Sequence, residues 1–220
     1  AIGRQSLAAL TSGAGNTAIG YKALSTSVDG NSNVAIGYQA MEVFEAGSGE
    51  GQSTVIGYNA GRYISTGEKS TFIGAEAGQG VSGTPLLGDD NTAIGKSAGL
   101  LLQGAAHSNT LVGSDCGDAV TSANSNVMVG YSAGSSVTTG GDNVIIGATA
   151  GDAMTTAGAC ILIGKNAGGA MAAGQTDTNG SVCIGAESGA AIQTGARNLA
   201  IGYASLDAAA GSCGDNIAIG

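Results

Sequence analysis

An Ile-Gly or Val-Gly dipeptide recurs along the whole chain at a nearly constant interval. Its glycine stands at positions 3, 20, 37, 57, 74, 95, 113, 130, 147, 164, 185, 202 and 220, so seven of the twelve intervals are 17 residues and the longest is 21. Helical repeats need roughly 33 residues or more, about twice this period. The spacing therefore predicts an all-β fold: a parallel β-solenoid (β-roll) of about twelve coils, period 17–21, in which residues 1–220 form one repeat domain.

The residues around this glycine, taken as position 0 of each repeat, follow a fixed order. Position −1 is Ile or Val, position −2 is always apolar, and position +3 is always Ala, Ser or Cys. Position +4 is Gly in eight of twelve repeats, and position +7 is a larger apolar residue in ten of twelve. This order indicates a short strand, a corner of small residues, a second short segment around position +7 and a polar turn.

Position −1 predicts a ladder of side chains in the lumen of the solenoid, because equivalent residues of stacked coils lie about 4.8 Å apart. The named members of this ladder are Ile19, Ile36, Ile56, Ile73 and Ile94. Successive strand residues point to opposite faces, so the apolar residue at −2 is expected on the outside. A continuous apolar outer stripe needs a cover, which predicts a homo-oligomer.

Position −4 is Asn in eight of the twelve complete repeats, and we expect these side chains to hydrogen-bond along the solenoid axis. The ladder includes Asn16, Asn33, Asn91, Asn109, Asn126 and Asn143. A calcium site is the functional alternative, because Asp precedes this Asn in three repeats. The G-G-x-G-x-D signature of calcium-binding β-rolls is absent, which favours the structural interpretation. The sequence thus predicts no metal and no cofactor.

Composition excludes several classes of partner. The net charge of −9 arises from 16 acidic and 7 basic residues without a basic patch, which argues against nucleic acid. No apolar run approaches the roughly 18 residues of a membrane-inserted segment. Four cysteines (Cys116, Cys160, Cys183 and Cys213) lack metal-ligand spacing and are expected to be buried as small apolar residues. The chain starts and stops within the motif, so we expect a fragment of a longer fibre protein.

The segments Asn16-Thr-Ala-Ile-Gly-Tyr-Lys-Ala-Leu24 and Asn33-Val-Ala-Ile-Gly-Tyr-Gln-Ala-Met41 resemble a known repeat. They are similar to the N-x-A-I-G-x-x-A units of trimeric autotransporter adhesin heads, and more so to the longer repeats of phage tail-fibre proteins. The resemblance implies a left-handed β-roll, three chains side by side, and attachment at a cell or virion surface. The predicted function is a structural fibre shaft or adhesive segment of an extracellular virion tail fibre or bacterial surface fibre. Its partners would be copies of itself, as a trimer, and a host or cell-surface glycan or protein.

Two alternatives come from other functional classes. An ice-binding solenoid needs outward ranks of Thr, and Thr54, Thr71, Thr92 and Thr110 do recur at position −3. They share the face of the Ile at −1, however, which we expect in the lumen. A hexapeptide-type acyltransferase helix needs three hexads per coil of about 18 residues, whereas each coil here has one. The sole histidine, His107, has no nearby acidic partner in the sequence, so we expect no enzyme.

Longer repeats and a tyrosine rank supply the candidate contact residues. Three repeats carry extra residues at 45–52, 82–89 and 172–179, where solenoids usually place binding loops. Drift in a tolerant turn is the alternative explanation. The candidate contacts in these loops are Glu50, Pro85, Leu86, Asp89 and Asp177. Five tyrosines at position +1 form either a saccharide-stacking stripe or, as we favour, corner packing: Tyr21, Tyr38, Tyr58, Tyr131 and Tyr203.

Overall fold

A computed structural model of the chain describes residues 1–44, 51–171, 179–193, 195–207 and 214–220. The contacts divide it into an N-terminal unit (Ala1–Asn109) and a C-terminal unit (Thr110–Gly220). Among the described residues there are twelve three-residue strands and no α-helix. The N-terminal unit contains β1 (Thr17–Ile19), β2 (Val34–Ile36), β3 (Thr54–Ile56), β4 (Thr71–Ile73) and β5 (Thr92–Ile94). The C-terminal unit contains β6 (Thr110–Val112), β7 (Val127–Val129), β8 (Val144–Ile146), β9 (Ile161–Ile163), β10 (Val182–Ile184), β11 (Leu199–Ile201) and β12 (Ile217–Ile219).

Within each unit, successive strands pair in parallel and in register, so equivalent positions of neighbouring coils lie side by side. Ile56 is paired with Ile73 in the N-terminal unit, and Ile146 is paired with Ile163 in the C-terminal unit. The predicted all-β parallel solenoid is therefore confirmed. Its handedness and the trimer remain predictions from the resemblance.

The glycine at position 0 is required by its backbone and by its neighbours. Gly57 has a φ of +146°, and a Cβ atom there would lie 2.2 Å from the carbonyl oxygen of Gly74 in the next coil. Gly113 repeats this arrangement with a φ of +139° and 2.2 Å to the Gly130 oxygen. An L side chain would meet both an unfavourable φ and a clash with backbone, so the repeat keeps its glycine at the end of each strand.

The core lies on the opposite face of the strands from the one predicted. The residue at position −2 is fully buried in β1–β11, whereas Ile19, Ile73 and Ile94 at position −1 are 36–38% exposed. Ile36 and Ile56 are half-buried. The prediction that the Ile ladder lines the lumen is wrong, and so is the prediction of an apolar outer stripe at −2. The two ladders exchange places: position −2 points inward, and positions −1 and −3 point outward.

The lumen accommodates different residues at −2 because position +4 compensates for their size. Buried Ala18 is followed by buried Leu24, whereas buried Phe72 is followed by Gly78, where a Cβ would lie 2.6 Å from the Phe72 ring. The coil of Ala93 departs from this rule, since it combines Ala with Gly. Close packing of the interior makes such paired changes necessary, because an extra methyl group has no space. The side chain at position −1, on the outer face, has no second position whose size must be matched to its own.

The Asn residues at −4 lie inside the coil and form hydrogen bonds along the axis. The Oδ1 atom of Asn91 accepts hydrogen bonds from both the backbone N–H and the Nδ2 of Asn109, at 3.2 and 3.0 Å. Asn126 Oδ1 accepts the same pair from Asn143, at 3.1 and 3.0 Å. Similar contacts join Asn33 to Asn16. These amides satisfy buried backbone donors that the turn would otherwise leave unpaired.

Candidate interaction faces of the two units

The outer face of each unit is made by the side chains at positions −3 and −1 of its strands. These two positions carry Thr, Val, Leu or Ile in all twelve strands, and no charged residue. None of these side chains is fully buried. A parallel sheet is ordinarily covered on both faces, so an open apolar face of this regularity is a candidate interaction surface.

In the N-terminal unit this surface combines hydroxyl groups with aliphatic groups, and we call it the hydroxyl face. Thr54, Thr71 and Thr92 are half-buried at position −3, beside half-exposed Ile at position −1. Their backbone N–H groups donate to the carbonyl of the next coil, as from Thr54 to Ser70 at 2.9 Å. Within the described part of the chain, their hydroxyl groups form no hydrogen bond to protein. The face comprises Thr17, Val34, Thr54, Thr71, Thr92, Ile19, Ile36, Ile56, Ile73 and Ile94.

In the C-terminal unit the same positions are nearly all aliphatic, and we call this surface the aliphatic face. Val127, Ile146, Ile161 and Ile184 are each 36–39% exposed. Seven strands about 4.8 Å apart make a stripe about 29 Å long. The members are Thr110, Val127, Val144, Ile161, Val182, Leu199 and Ile217 at −3, and Val112, Val129, Ile146, Ile163, Ile184, Ile201 and Ile219 at −1.

Three tyrosines at position +1 stack on one another in the N-terminal unit. The ring centroids of Tyr21 and Tyr38 are 5.2 Å apart, and those of Tyr38 and Tyr58 are 5.4 Å apart, with nearly parallel planes. Both faces of the Tyr38 ring are therefore occupied by neighbouring rings, which leaves its edge for other contacts. This arrangement favours packing between coils over the stacking of a sugar ring.

A half-buried ion cluster lies in the same coils. Glu42 accepts hydrogen bonds from Lys22 and Arg62, both at 2.8 Å, and from Gln39 at 2.7 Å. Burial raises the pKa of the Glu42 carboxyl, but the hydrogen bonds and charges of Lys22 and Arg62 outweigh it and leave the pKa below its ordinary value. This cluster is not among the site residues predicted from the sequence. Alignment of the coils would have found it, because Glu42 and Arg62 both stand at position +5 of neighbouring coils, and Lys22 and Gln39 both stand at position +2.

The inserted loop at 82–89 differs from the prediction. An antiparallel bridge between Val81 and Thr84 closes the insertion. Val81 stands at position +7 of its repeat, as Ile64 does in the preceding coil, but the residue that pairs with Ile64 is Leu86. Leu86 is fully buried, so its assignment as a contact residue is wrong: the hairpin removes the extra residues from the coil, and Leu86 completes the core. Pro85 is half-buried, and Leu87 is 49% exposed. Glu50 and Asp177, the contacts predicted in the other two loops, lie outside the described residues.

A cleft of about 270 Å³ lies beside this loop. It is lined by Leu87, Gly88, Asp89, Asp90, Ala105, His107 and Ser108. Asp89 is engaged within the fold, because its Oδ1 accepts a hydrogen bond from the backbone N–H of Glu68 at 2.8 Å. The exposed His107 ring lies 3.3 Å from the Ser108 hydroxyl through Nδ1. The cleft therefore presents two apolar side chains, Leu87 and Ala105, among polar groups.

The described cysteines are buried as expected. Burial raises the pKa of the Cys116 and Cys183 thiols to about 12, so neither is a thiolate at neutral pH. Cys160 is also buried, and Cys213 lies outside the described residues. No group of three or more His, Cys, Asp or Glu side chains is arranged to hold a metal ion in the ranges that the structure describes.

No protein-family model, curated protein sequence or solved structure matches this chain. The described residues form no helix of the length and apolarity that crossing a membrane requires. The faces described above are therefore interpreted from their own geometry and chemistry.

Proposed function

We propose that this chain is a segment of a structural fibre, and that copies of it associate side by side through the aliphatic face. Three copies and a position on a virion or bacterial surface are the arrangement that the resemblance to tail-fibre and adhesin repeats implies. The observation that carries the proposal is the nearly continuous aliphatic stripe on β6–β12, in which Thr110 is the one residue that is not aliphatic. On this account the chain performs no catalysis.

Exposure of this aliphatic stripe to water is unfavourable. Each buried CH₂ group contributes about 0.8 kcal/mol, so covering the exposed parts of fourteen strand side chains is strongly favourable. Patches of this kind exceed what a soluble monomer ordinarily exposes. The strand positions of this face carry no charged residue, so no like charges meet within the proposed contact.

A second copy of the chain is the partner that fits best, because the stripe repeats with the strand spacing. A partner surface must offer apolar side chains at the same spacing over the same length, and an identical chain does so. Sheet faces whose side chains interdigitate pack about 10 Å apart, and water is excluded from between them.

Sedimentation equilibrium of the native chain at micromolar concentration tests this proposal. We expect a mass that is a multiple of the chain mass, three in the simplest case. Ile146→Lys should reduce it to the mass of one chain while the far-UV circular dichroism spectrum is retained. The matched control is Thr139→Lys, at an exposed position outside the strands, which should associate normally. A monomeric native chain, or an Ile146→Lys variant that associates like the control, would contradict the proposal.

Contact of the segment with a host surface is proposed at the loop around Leu87. This loop and its cleft interrupt the regular coils and combine an exposed apolar side chain with carboxylate and hydroxyl groups. Deleting Ser82–Pro85 shortens that coil from 21 residues to 17 and should preserve the fold. On a glycan array, we expect the deletion to abolish binding that the full chain displays; unchanged binding would place recognition elsewhere.

A further inference from the structure

We propose that the hydroxyl face of the N-terminal unit adsorbs to the surface of ice. This activity is separate from the self-association proposed for the aliphatic face, and it concerns a different set of strands, β1–β5. The ligand is crystalline water, a neutral lattice with hydrogen-bond donors and acceptors at regular intervals.

The geometry of the face is a two-dimensional grid. The Thr rank at −3 and the Ile rank at −1 lie two residues apart along each strand, about 6.6 Å, and the strands repeat about every 4.8 Å. The register holds these ranks in line: Thr54 is paired with Thr71, which is paired with Thr92. Water oxygens on the prism faces of ice repeat on a similar scale in two directions. A regular grid can therefore match the lattice over several strands at once.

The chemistry of the face suits the same ligand. A Thr hydroxyl can donate one hydrogen bond and accept two, and those of Thr54, Thr71 and Thr92 have no protein partner within the described residues. Their methyl groups and the neighbouring Ile side chains hold liquid water weakly. The two ranks contain no charged residue, whose hydration shell would not fit the lattice. Four of the five strands contribute a Thr, and Val34 in β2 keeps nearly the same shape.

The sequence predicts a lumenal position for Thr54, Thr71 and Thr92, because they share a face with the Ile at −1. The structure contradicts this prediction, since Ile73 and Ile94 are themselves 36–37% exposed. Thr and Ile occupy one open face together, and the combination of hydroxyl and aliphatic ranks is what the proposal requires. The aliphatic face is the internal comparison, because only one of its seven strands, β6, begins with Thr.

Ice-affinity partition of the full chain tests the proposal. A dilute solution is frozen slowly, and the protein is measured in the ice and in the remaining liquid. We expect the native chain to enrich in ice, and Thr71→Lys to lose this enrichment because a charged side chain stands in the middle of the grid. Ile73→Lys places the charge in the Ile rank at position −1 of the same strand, and it replaces Thr71→Lys in the test if that variant does not fold. The matched control is Ser82→Lys, at an exposed loop position of the same unit, which should enrich like the native chain.

Measuring the mass of each variant in solution as well separates the effect of a substitution on ice enrichment from its effect on self-association. Ile146→Lys, which should be monomeric, is expected to keep ice enrichment, since it leaves β1–β5 unchanged. Exclusion of the native chain from ice would overturn the proposal. An equal loss in Ser82→Lys would also overturn it. A Thr71→Lys variant that becomes monomeric would assign this face to self-association, and the ice proposal would fail; the fibre proposal is tested separately by Ile146→Lys.

Discussion

The hydroxyl face and the aliphatic face share their strand geometry but differ at position −3. Thr occupies that position in four of the five strands of the N-terminal unit and in one of the seven strands of the C-terminal unit. Position −1 is Ile or Val in both. The backbone register, the glycine at position 0 and the buried residue at −2 are also common to both. The coil therefore leaves the chemistry of its outer face free, and that chemistry decides what each unit can bind.

The buried position −2 of the strands varies in residue type, whereas the half-exposed position −1 does not. Position −2 ranges from Ala to Phe, because position +4 and the neighbouring coils can adjust around it. Position −1 stays Ile or Val although it is half-exposed. The contacts proposed above, with a surface that repeats with the strand spacing, would require this uniformity.

The largest effect is expected from a charge placed on either side of the same strand. Ile145→Asp puts an unpaired carboxylate in the core and should unfold the C-terminal unit, at a cost of more than about 4 kcal/mol. Ile146→Asp, one residue away, should keep the fold and lose association. Phe72→Asp and Ile73→Asp make the same comparison in the N-terminal unit. Circular dichroism and chemical denaturation measure the difference; equal destabilisation by both members of a pair would contradict the assignment of the faces.

A smaller effect is expected when the aliphatic face is converted towards the hydroxyl face. Replacing Val127, Val144 and Val182 with Thr keeps the side-chain shape but exchanges a methyl for a hydroxyl. Because these side chains point outward, the free energy of unfolding of a dissociated chain should change by less than about 0.5 kcal/mol per site. Association should weaken by more than about tenfold, since three apolar groups no longer contribute to the interface.

Sedimentation across a concentration series measures this weakening. The control exchanges Val28, which is 40% exposed and lies outside the strands, for Thr. This control should associate like the native chain. Unaltered association of the triple variant would mean that the aliphatic face does not form the contact.

The smallest effect concerns the ion pairs, which also differ between the units. Glu42 is bound by two cations in a half-buried cluster, whereas Arg197 and Asp215 form an exposed pair in the C-terminal unit. Glu42→Gln should lower the free energy of unfolding by about 1 kcal/mol at neutral pH. Asp215→Asn, the control, should have no measurable effect.

The pH dependence follows from the lowered pKa of Glu42. A carboxyl whose pKa is lower in the folded state stabilises that state above its ordinary pKa, near 4.3 for Glu. The contribution is lost as the pH falls through the lowered folded pKa. Thermal unfolding between pH 2 and pH 7 should therefore show a smaller acid-dependent loss in Glu42→Gln than in the native chain. Parallel curves would show that the cluster contributes nothing.

The features that follow from the repeat period could be predicted from the sequence. The features that depend on which face of each strand points into the lumen could not. The 17-residue interval, Gly57 and the Asn91–Asn109 contact recur at fixed positions, so the coil and its axial hydrogen bonds could be anticipated. The hairpin that closes at Thr84 could not, because an insertion can leave the coil at several points. Its effect on Leu86 is a matter of register, which spacing alone does not show.

The prediction of which strand residues point into the lumen was wrong because both faces of each strand are apolar. With Ile at −1 and an apolar residue at −2, alternation gives no polar side to identify as the exterior. Two signals were nevertheless present: Thr at −3 marks a face that tolerates water, and the pairing of Ala18 with Leu24 and of Phe72 with Gly78 marks residues that share one interior. Size compensation between −2 and +4 is thus a better guide to the lumen of this repeat than uniformity.

Photo-crosslinking tests most directly the claim that the outward strand position contacts other copies. The photoreactive residue p-benzoylphenylalanine is placed at position 146 in one preparation and at position 139 in another, and each is irradiated at micromolar concentration. We predict covalently joined chains from position 146, and from position 139 single chains. Single chains from position 146, or equal crosslinking from both positions, would contradict the account.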